Sequence, residues 1–313
     1  MASVDVIIPV YRPDEKLNRL LVALETQTIL PGKIILVHTG EALPGEPDYS
    51  AYDNVVLRII DPKEFDHGGT RNLGATLSEA EVMVFMTQDA VPADDYLLER
   101  LTETMSREVA ERGVEIAAVY ARQLPYEDCR AVERYIREFN YPDRSELRTK
   151  EDLAVRGIKT FCNSNVCSAY SKEIYDRLGG FVTRTIFNED LLYGAKAVLN
   201  GYGNRYEAEA RVYHSHNLGL SDQFHRNFDN AVSQAEHPEI FKAVSSEKEG
   251  MKLVKYCISR MREERKLYLV PYFVLNCACR YAGFFLGKRF SKLPGWLIQA
   301  CSLNKRYWTS TKK

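Results

Sequence analysis

Cysteine is scarce and scattered: the seven thiols, at positions 129, 162, 167, 257, 277, 279 and 301, form no C-x-x-C pair. A disulfide framework is therefore not expected, and a reducing, cytosolic compartment is the simpler reading. The N-terminal MASVDVIIPVY lacks a basic segment leading into a long apolar one, so no signal peptide is expected. No glycine-rich phosphate loop follows the first apolar run, which continues as VIIPVYRPDEK, and this counts against a nucleotidyltransferase. The longest hydrophobic stretch, 267–290, is interrupted by Pro271, Asn276 and Arg280, which disfavours a membrane-spanning helix. There is no internal repeat and no low-complexity segment.

Net charge is almost absent too, at −1, but the balance is uneven. From Met251 to Lys313 there are 14 Lys and Arg against two Glu, or +12, which leaves −13 for residues 1–250. The last fifth is a basic module, and it carries no recognisable nucleic-acid-binding pattern.

Short apolar runs rich in β-branched residues, VDVIIPV (4–10), KIILVHT (33–39), NVVLRII (54–60) and VMVFMT (82–87), predict strands buried on both faces. Leu17, Leu20, Leu21 and Leu24 after Pro13 have helical spacing, and helices are also expected over 70–79, 94–110 and 188–202. Further strands are expected at 114–120, 161–170 and 209–217, whereas 128–160 is polar, charged and expected to be partly mobile. Alternating strands and helices imply an α/β fold, Rossmann-like, with a mostly parallel sheet between helices and ligands beyond the carboxyl ends of the strands. Pro9 to Tyr11, His38 to Gly40, Asp61 and Gln88 to Asp89 would face that crevice. The expected division is 1–230 as the catalytic domain and 231–313 as a mainly helical C-terminal region.

Only one carboxylate, Asp89, ends the fourth run, in MTQDA. By itself it reads either as a metal ligand or as a turn residue before Pro92. His214 and His216 lie at i and i+2 in YHSHN, on one side of an extended segment, and imidazole suits Mn²⁺ better than Mg²⁺. Gly68 and Gly69 in HGGTRN precede a helix where bare N–H groups can meet an anion, with Arg71 as a nearby cation. Glu189 and Asp190 stand at a helix start, where acids also act simply as caps.

The set VIIPVYRP, FDHGGTRNLGATLSEAEVMVFMTQDA and GGFVTRTIFNEDLLYGAKAVLNGY, in that order, resembles the inverting glycosyltransferases of family two, which have a GT-A fold. The resemblance covers roughly residues 3–230. DHGGTRN, NEDLLYG and YHSHNLGLSDQFHR look most like the bacterial rhamnosyltransferase branch. It implies Asp190 as catalytic base with Glu189 in support. Asp89 takes the last position of the family's D-x-D, with Thr87 in place of the first acid, and His214, joined by His216, completes a site for Mn²⁺ or Mg²⁺. Pro9, Tyr11, Thr39, Asp66, His67, Gly68, Arg71, Gln88 and Asp89 are the implied donor contacts. His38 and Thr39 stand where many members carry an Asp that holds uracil, which fits a thymidine nucleotide better. Gln223, His225 and Arg226 in QFHRN partly match a Q-x-x-R-W motif, although Asn227 replaces the Trp; Arg226 would neutralise the leaving diphosphate.

The expected activity is transfer of L-rhamnose from dTDP-β-L-rhamnose to a bacterial surface polysaccharide, free or lipid-linked. A UDP-sugar donor, a nucleotidyltransferase and a non-catalytic nucleotide-sugar binder are the alternatives. Cations and aromatics interleaved with apolar residues through Trp308 predict docking of the tail on an anionic membrane surface, with the enzyme cytoplasmic and peripheral on the inner face. A helical pair packed on the catalytic domain, or a homo-oligomer interface, is the competing use of the tail.

Overall fold

The computed structural model describes residues 2–43, 45–107, 113–241 and 247–310. Its contacts divide the chain into two units, one of residues 1–126, 141–183 and 189–215, the other of 127–140, 184–188 and 216–313.

The first unit runs β1 (Val4–Val10), α1 (Glu15–Glu25), β2 (Ile34–Thr39), β3 (Val55–Ile60), α2 (His67–Thr76), β4 (Val82–Met86), β5 (Val91–Pro92), α3 (Leu97–Arg107) and β6 (Ile116–Leu124). It resumes with β7 (Glu146–Arg148), α5 (Leu153–Arg156), β8 (Cys167–Ser171), α6 (Lys172–Arg177), α7 (Glu189–Leu199) and β9 (Gly203–Tyr213). The second unit is helical: α4 (Ala131–Asn140), α8 (Leu220–Glu236), α9 (Pro238–Phe241), α10 (Glu247–Glu263), α11 (Val270–Gly287), α12 (Gly295–Cys301) and α13 (Lys305–Ser310).

The sheet order is β3-β2-β1-β4-β8-β6-β9-β5, with β7 also on β9. From β3 to β4 every pairing is parallel. β8 then runs antiparallel to both β4 and β6, and β9 returns parallel to β6. β2 and β4 are buried along their whole length, and β1 nearly so, which is why their runs are continuously apolar rather than alternating. On α1 the four leucines read from the sequence are all buried, and Asp14 caps the helix by accepting the Lys16 amide at 2.9 Å. Burying each leucine contributes about 1.5–3 kcal/mol.

Four expectations shift. The strand expected over 161–170 begins at Cys167, because 157–161 is a 3₁₀ turn and Asn163, Ser164 and Asn165 beyond it are held by side-chain hydrogen bonds. The strand expected over 209–217 spans Gly203–Tyr213 and ends just before His214. The supposedly mobile 128–160 holds α4, whose Val132, Tyr135 and Ile136 are buried against α10 and α11 residues including Cys257, Met261 and Phe273. Helix α3 starts three residues later than expected, and the end expected for it falls at 108–110, outside the described residues.

Candidate active site

Two acids open α7. Asn188, immediately before them, has φ of 67°, a left-handed conformation that asparagine tolerates better than most residues. The Asp190 carboxylate accepts the Asn165 amide at 3.0 Å through Oδ2 and the Leu191 amide at 2.7 Å through Oδ1. Asn165 also donates its side-chain N–H to Glu189 Oε1 at 3.1 Å, so one residue holds both acids. Asn165 is itself fixed by the Tyr170 hydroxyl, at 2.6 Å, which accepts from Asn163 at 2.7 Å.

The two carboxyls differ in protonation. Burial alone would raise Glu189, but Arg71, His67 and the Asn165 amide outweigh it and hold Glu189 below the usual range. Burial, with the neighbouring Glu189 charge behind it, pushes Asp190 up to about 7. The result is an ionised acid beside one that gains and loses a proton near neutrality, the range useful to a general base.

Helix α2 supplies the cation. Arg71 Nη1 lies 3.1 Å from Glu189 Oε1 and donates to the His67 carbonyl at 2.9 Å, with the side chain buried. Asp66 caps the helix by accepting the Gly69 amide at 2.6 Å. His67 packs edge-on to Phe65, and burial holds its imidazole below the ordinary value. Gly68 is demanded by close approach, since a Cβ there would sit 1.9 Å from the Val182 carbonyl oxygen. Asn72 donates to the Phe181 carbonyl and accepts the Phe181 amide, both at 2.9 Å. HGGTRN is thus built against the GGF turn and the acid pair.

A second cluster forms where β4, β6 and β9 end. Gln88 ties β4 to β1 by accepting the Tyr11 amide at 2.8 Å and donating to the Tyr11 carbonyl at 3.1 Å. Pro9 lies within β1, opposite Val37 of β2. Thr87 and Thr39 are each at a strand end with a buried hydroxyl that has no hydrogen-bond partner among the described residues. His38 Nδ1 meets the Gly40 carbonyl at 2.8 Å and Nε2 meets Glu46 at 2.9 Å, so both nitrogens serve the loop after β2.

Asp89 Oδ2 lies 3.5 Å from His214 Nε2. The other nitrogen, Nδ1, faces Gln123 Oε1 at 3.0 Å, and the Gln123 amide N–H donates to Tyr141 and Ser164 at 2.7 and 2.9 Å. That chain makes Nδ1 the protonated nitrogen and leaves the Nε2 lone pair toward Asp89, the tautomer a metal ligand needs. One imidazole nitrogen and one carboxylate oxygen fit a Mn²⁺-type donor set. His216, two residues on, is exposed and belongs to the second unit.

Within the second unit, α8 carries the QFHRN residues. Gln223 donates to Glu133 at 3.0 Å, and Arg226 stacks 5.4 Å over Phe187. His225 Nδ1 meets the Cys301 carbonyl at 2.7 Å. Burial raises the Glu133 carboxyl, although Arg280, Gln223, Arg137 and Arg226 oppose that rise.

Asn165 and Gln123 were not singled out in the sequence. Asn165 lies in a segment that reads only as strand and Gln123 just beyond the strand expected at 114–120, and no local pattern separates a buried amide that orients an acid or an imidazole from one that pairs with backbone.

Residues 5–179 match the domain described as Glycosyl transferase family 2. Over 310 residues the chain is 35% identical to the O-antigen chain rhamnosyltransferase RfbN of Salmonella typhimurium, covering 98% of this chain and 96% of that one. It is 32% identical over 313 residues to the O-antigen chain rhamnosyltransferase WbaN of Salmonella anatum, covering 99% and 97%. The mannosyltransferase PcManGT of Pyrobaculum calidifontis, solved with GDP-Man and Mn²⁺, superposes with a TM-score of 0.51 at 14% identity, over 99% of this chain and 83% of that one. S. aureus TarS 1-349, solved with UDP-GlcNAc, gives 0.51 at 13% identity, over 93% and 91%. Those two likenesses concern the fold. The matched domain and the near-full-length relatives together establish that this chain belongs to glycosyl transferase family 2.

Proposed function

We propose that the protein transfers L-rhamnose from dTDP-β-L-rhamnose to a surface-polysaccharide acceptor carried on a lipid, at the inner face of the cell membrane. The observation that carries the chemistry is Asp190: a carboxylate oriented by two backbone amides and raised to about 7 by burial and Glu189. It takes the acceptor hydroxyl proton as that oxygen attacks the anomeric carbon and the nucleotide diphosphate departs from the opposite face. One displacement on a β-linked donor yields an α-L-rhamnoside. The choice of sugar rests on likeness to RfbN and WbaN over nearly the whole chain.

Asp89 and His214, with His216 two residues further along the chain, would hold Mn²⁺ or Mg²⁺, which when bound supplies positive charge to the diphosphate. Arg226 is assigned to the same diphosphate. Pro9, Tyr11, Thr39, Gln88, Asp66, His67 and Gly68 are assigned to the donor side, with the hydroxyls of Thr39 and Thr87, which have no partner among the described residues, among the groups a nucleotide sugar would satisfy. Arg71 acts through Glu189.

The test uses purified full-length protein, dTDP-β-L-rhamnose, Mn²⁺ and a lipid-linked acceptor. The expected outcome is an α-linked rhamnosyl product by NMR, lost in D190N while donor binding persists by thermal shift. Unchanged turnover in D190N, or a clear preference for UDP-sugars, overturns the proposal.

A further inference from the structure

Helix α11 has two faces of opposite character. Phe273, Asn276, Gly283 and Gly287 are buried at heptad-like spacing. The opposite face comprises Pro271, Val274, Leu275, Ala278, Tyr281, Ala282 and Phe285, all exposed and without a charge among them. Val274 is 58% exposed, Leu275 50%, Tyr281 69% and Phe285 42%. At 1.5 Å per residue the stripe, from Pro271 to Phe285, runs for about 21 Å. An uncovered apolar band of this length signals an interaction surface rather than isolated surface hydrophobics.

Charge chooses the occupant. Exposed Arg262 and Arg265 precede the band, exposed Arg289 and Lys292 follow it, and the sequence contains no acid after Glu264. The Arg289 guanidinium lies 3.7 Å from the Phe285 ring centroid, a cation seated at the edge of the apolar face. Trp296 on α12, 72% exposed, and Tyr268 before α11, 74% exposed, add ring systems of the kind that settle at headgroup level. A second copy packed antiparallel on the band would set cations against cations at both ends, whereas an anionic leaflet meets all of them favourably.

The packing also sets the orientation. By length and composition Leu267–Gly287 is long and apolar enough to cross a membrane. A Cβ at Gly283 or Gly287 would lie 2.2 Å from the Phe224 carbonyl oxygen or 2.3 Å from that of Phe228, so α11 runs backbone to backbone along α8. Helix α8 carries Asp222, His225, Arg226, Asp229 and Glu236. A spanning α11 would draw those charges into hydrocarbon, at a prohibitive cost.

We infer that α11 lies in the plane of an anionic bilayer with its Val274–Leu275–Tyr281–Phe285 face in the acyl boundary. This deepens the membrane location proposed above and is independent of the donor assignment.

Flotation of the full chain with vesicles tests it. Binding is expected to phosphatidylcholine mixed with phosphatidylglycerol, and to be at least about tenfold weaker to phosphatidylcholine alone. L275E combined with F285E is expected to lower anionic-vesicle binding by roughly tenfold or more, with helical circular dichroism and transfer to a lipid-free acceptor unchanged. R289Q with K292Q, which leaves the apolar band intact, is expected to erase most of the preference for phosphatidylglycerol. Three results would each overturn the inference: equal binding to both vesicles; retention in the membrane through alkaline carbonate extraction, the mark of a span; or a doubled mass in solution that L275E/F285E abolishes. Because vesicle binding is read without catalysis, its failure leaves the rhamnosyl-transfer reading intact.

Discussion

The acid pair on α7 and the acid–imidazole pair at the ends of β4 and β9 use similar parts to different ends. Glu189 and Asp190 are enclosed: Asn165 binds both, Arg71 compensates one, and burial makes the other protonate near neutrality. At Asp89 and His214 a single carboxylate faces a nitrogen whose tautomer is imposed from behind by Gln123. The first arrangement tunes a proton affinity; the second presents lone pairs. Like charges in a low-dielectric setting repel, so two adjacent carboxyls cannot both ionise cheaply, whereas one carboxylate with a neutral imidazole leaves a cation as the natural third member.

The sharpest way to break this comparison is D190N. Transfer is expected to fall by about 10²–10⁴-fold, the usual contribution of a positioned base, in a radiolabelled or NMR turnover assay. Stability should respond as well. The Asp190 carboxyl titrates higher in the fold than in the unfolded chain, so folding disfavours its ionised form. The wild type should therefore lose stability relative to D190N as pH rises from about 4 to 7, by at most roughly 4 kcal/mol for a shift of three units, and the difference should level off above pH 7. Chemical denaturation of both proteins across that range checks it; parallel curves would show that Asp190 is not the raised acid.

On the other side of the comparison, chelation or H214Q is expected to abolish Mn²⁺ binding in calorimetry. Q123L, which removes the acceptor behind the imidazole together with the bonds Gln123 donates to Tyr141 and Ser164, should weaken that binding by about 10–100-fold. A wild-type affinity in Q123L would mean that the tautomer is set elsewhere.

The sequence shows these two sites unequally. Strand ends and helix starts follow from apolar runs and capping residues, so Asp89 and His214 could be placed at strand ends, and Glu189 and Asp190 at a helix start, before any contact was known. The antiparallel β8 and the helix α4 were less legible. A buried strand reads the same in either direction, and the apolar face of α4 at Val132, Tyr135 and Ile136 is masked by the charges around it. The partners were least legible of all. Arg71 reads as a cation after two glycines, which suggests a phosphate, but it meets Glu189 from 118 positions away in the chain. Asn165 and Gln123 acquire their roles only when β6, β8 and α7 have docked.

That hidden ion pair gives the finest test of how the two acids divide their labour. The transfer rate should rise with pH along a limb set by Asp190, near pH 7. The charged and titratable groups facing the pair are Arg71 and His67 of α2, with Tyr170 near Asp190 and Tyr175 near Glu189. E189Q removes the like charge beside Asp190 and leaves Arg71 to favour its ionised form, so the limb should move toward acid by about one unit, equivalent to about 1.4 kcal/mol. R71M removes the cation that favours ionisation of both acids, so the pair should hold its proton more tightly and the limb should move toward alkali. Shifts of opposite sign identify Arg71 and Glu189 as residues that position and tune the base. A loss of rate with the limb unmoved in both variants would instead assign them to packing alone, because a purely structural defect lowers the plateau without moving the pH at which it is reached.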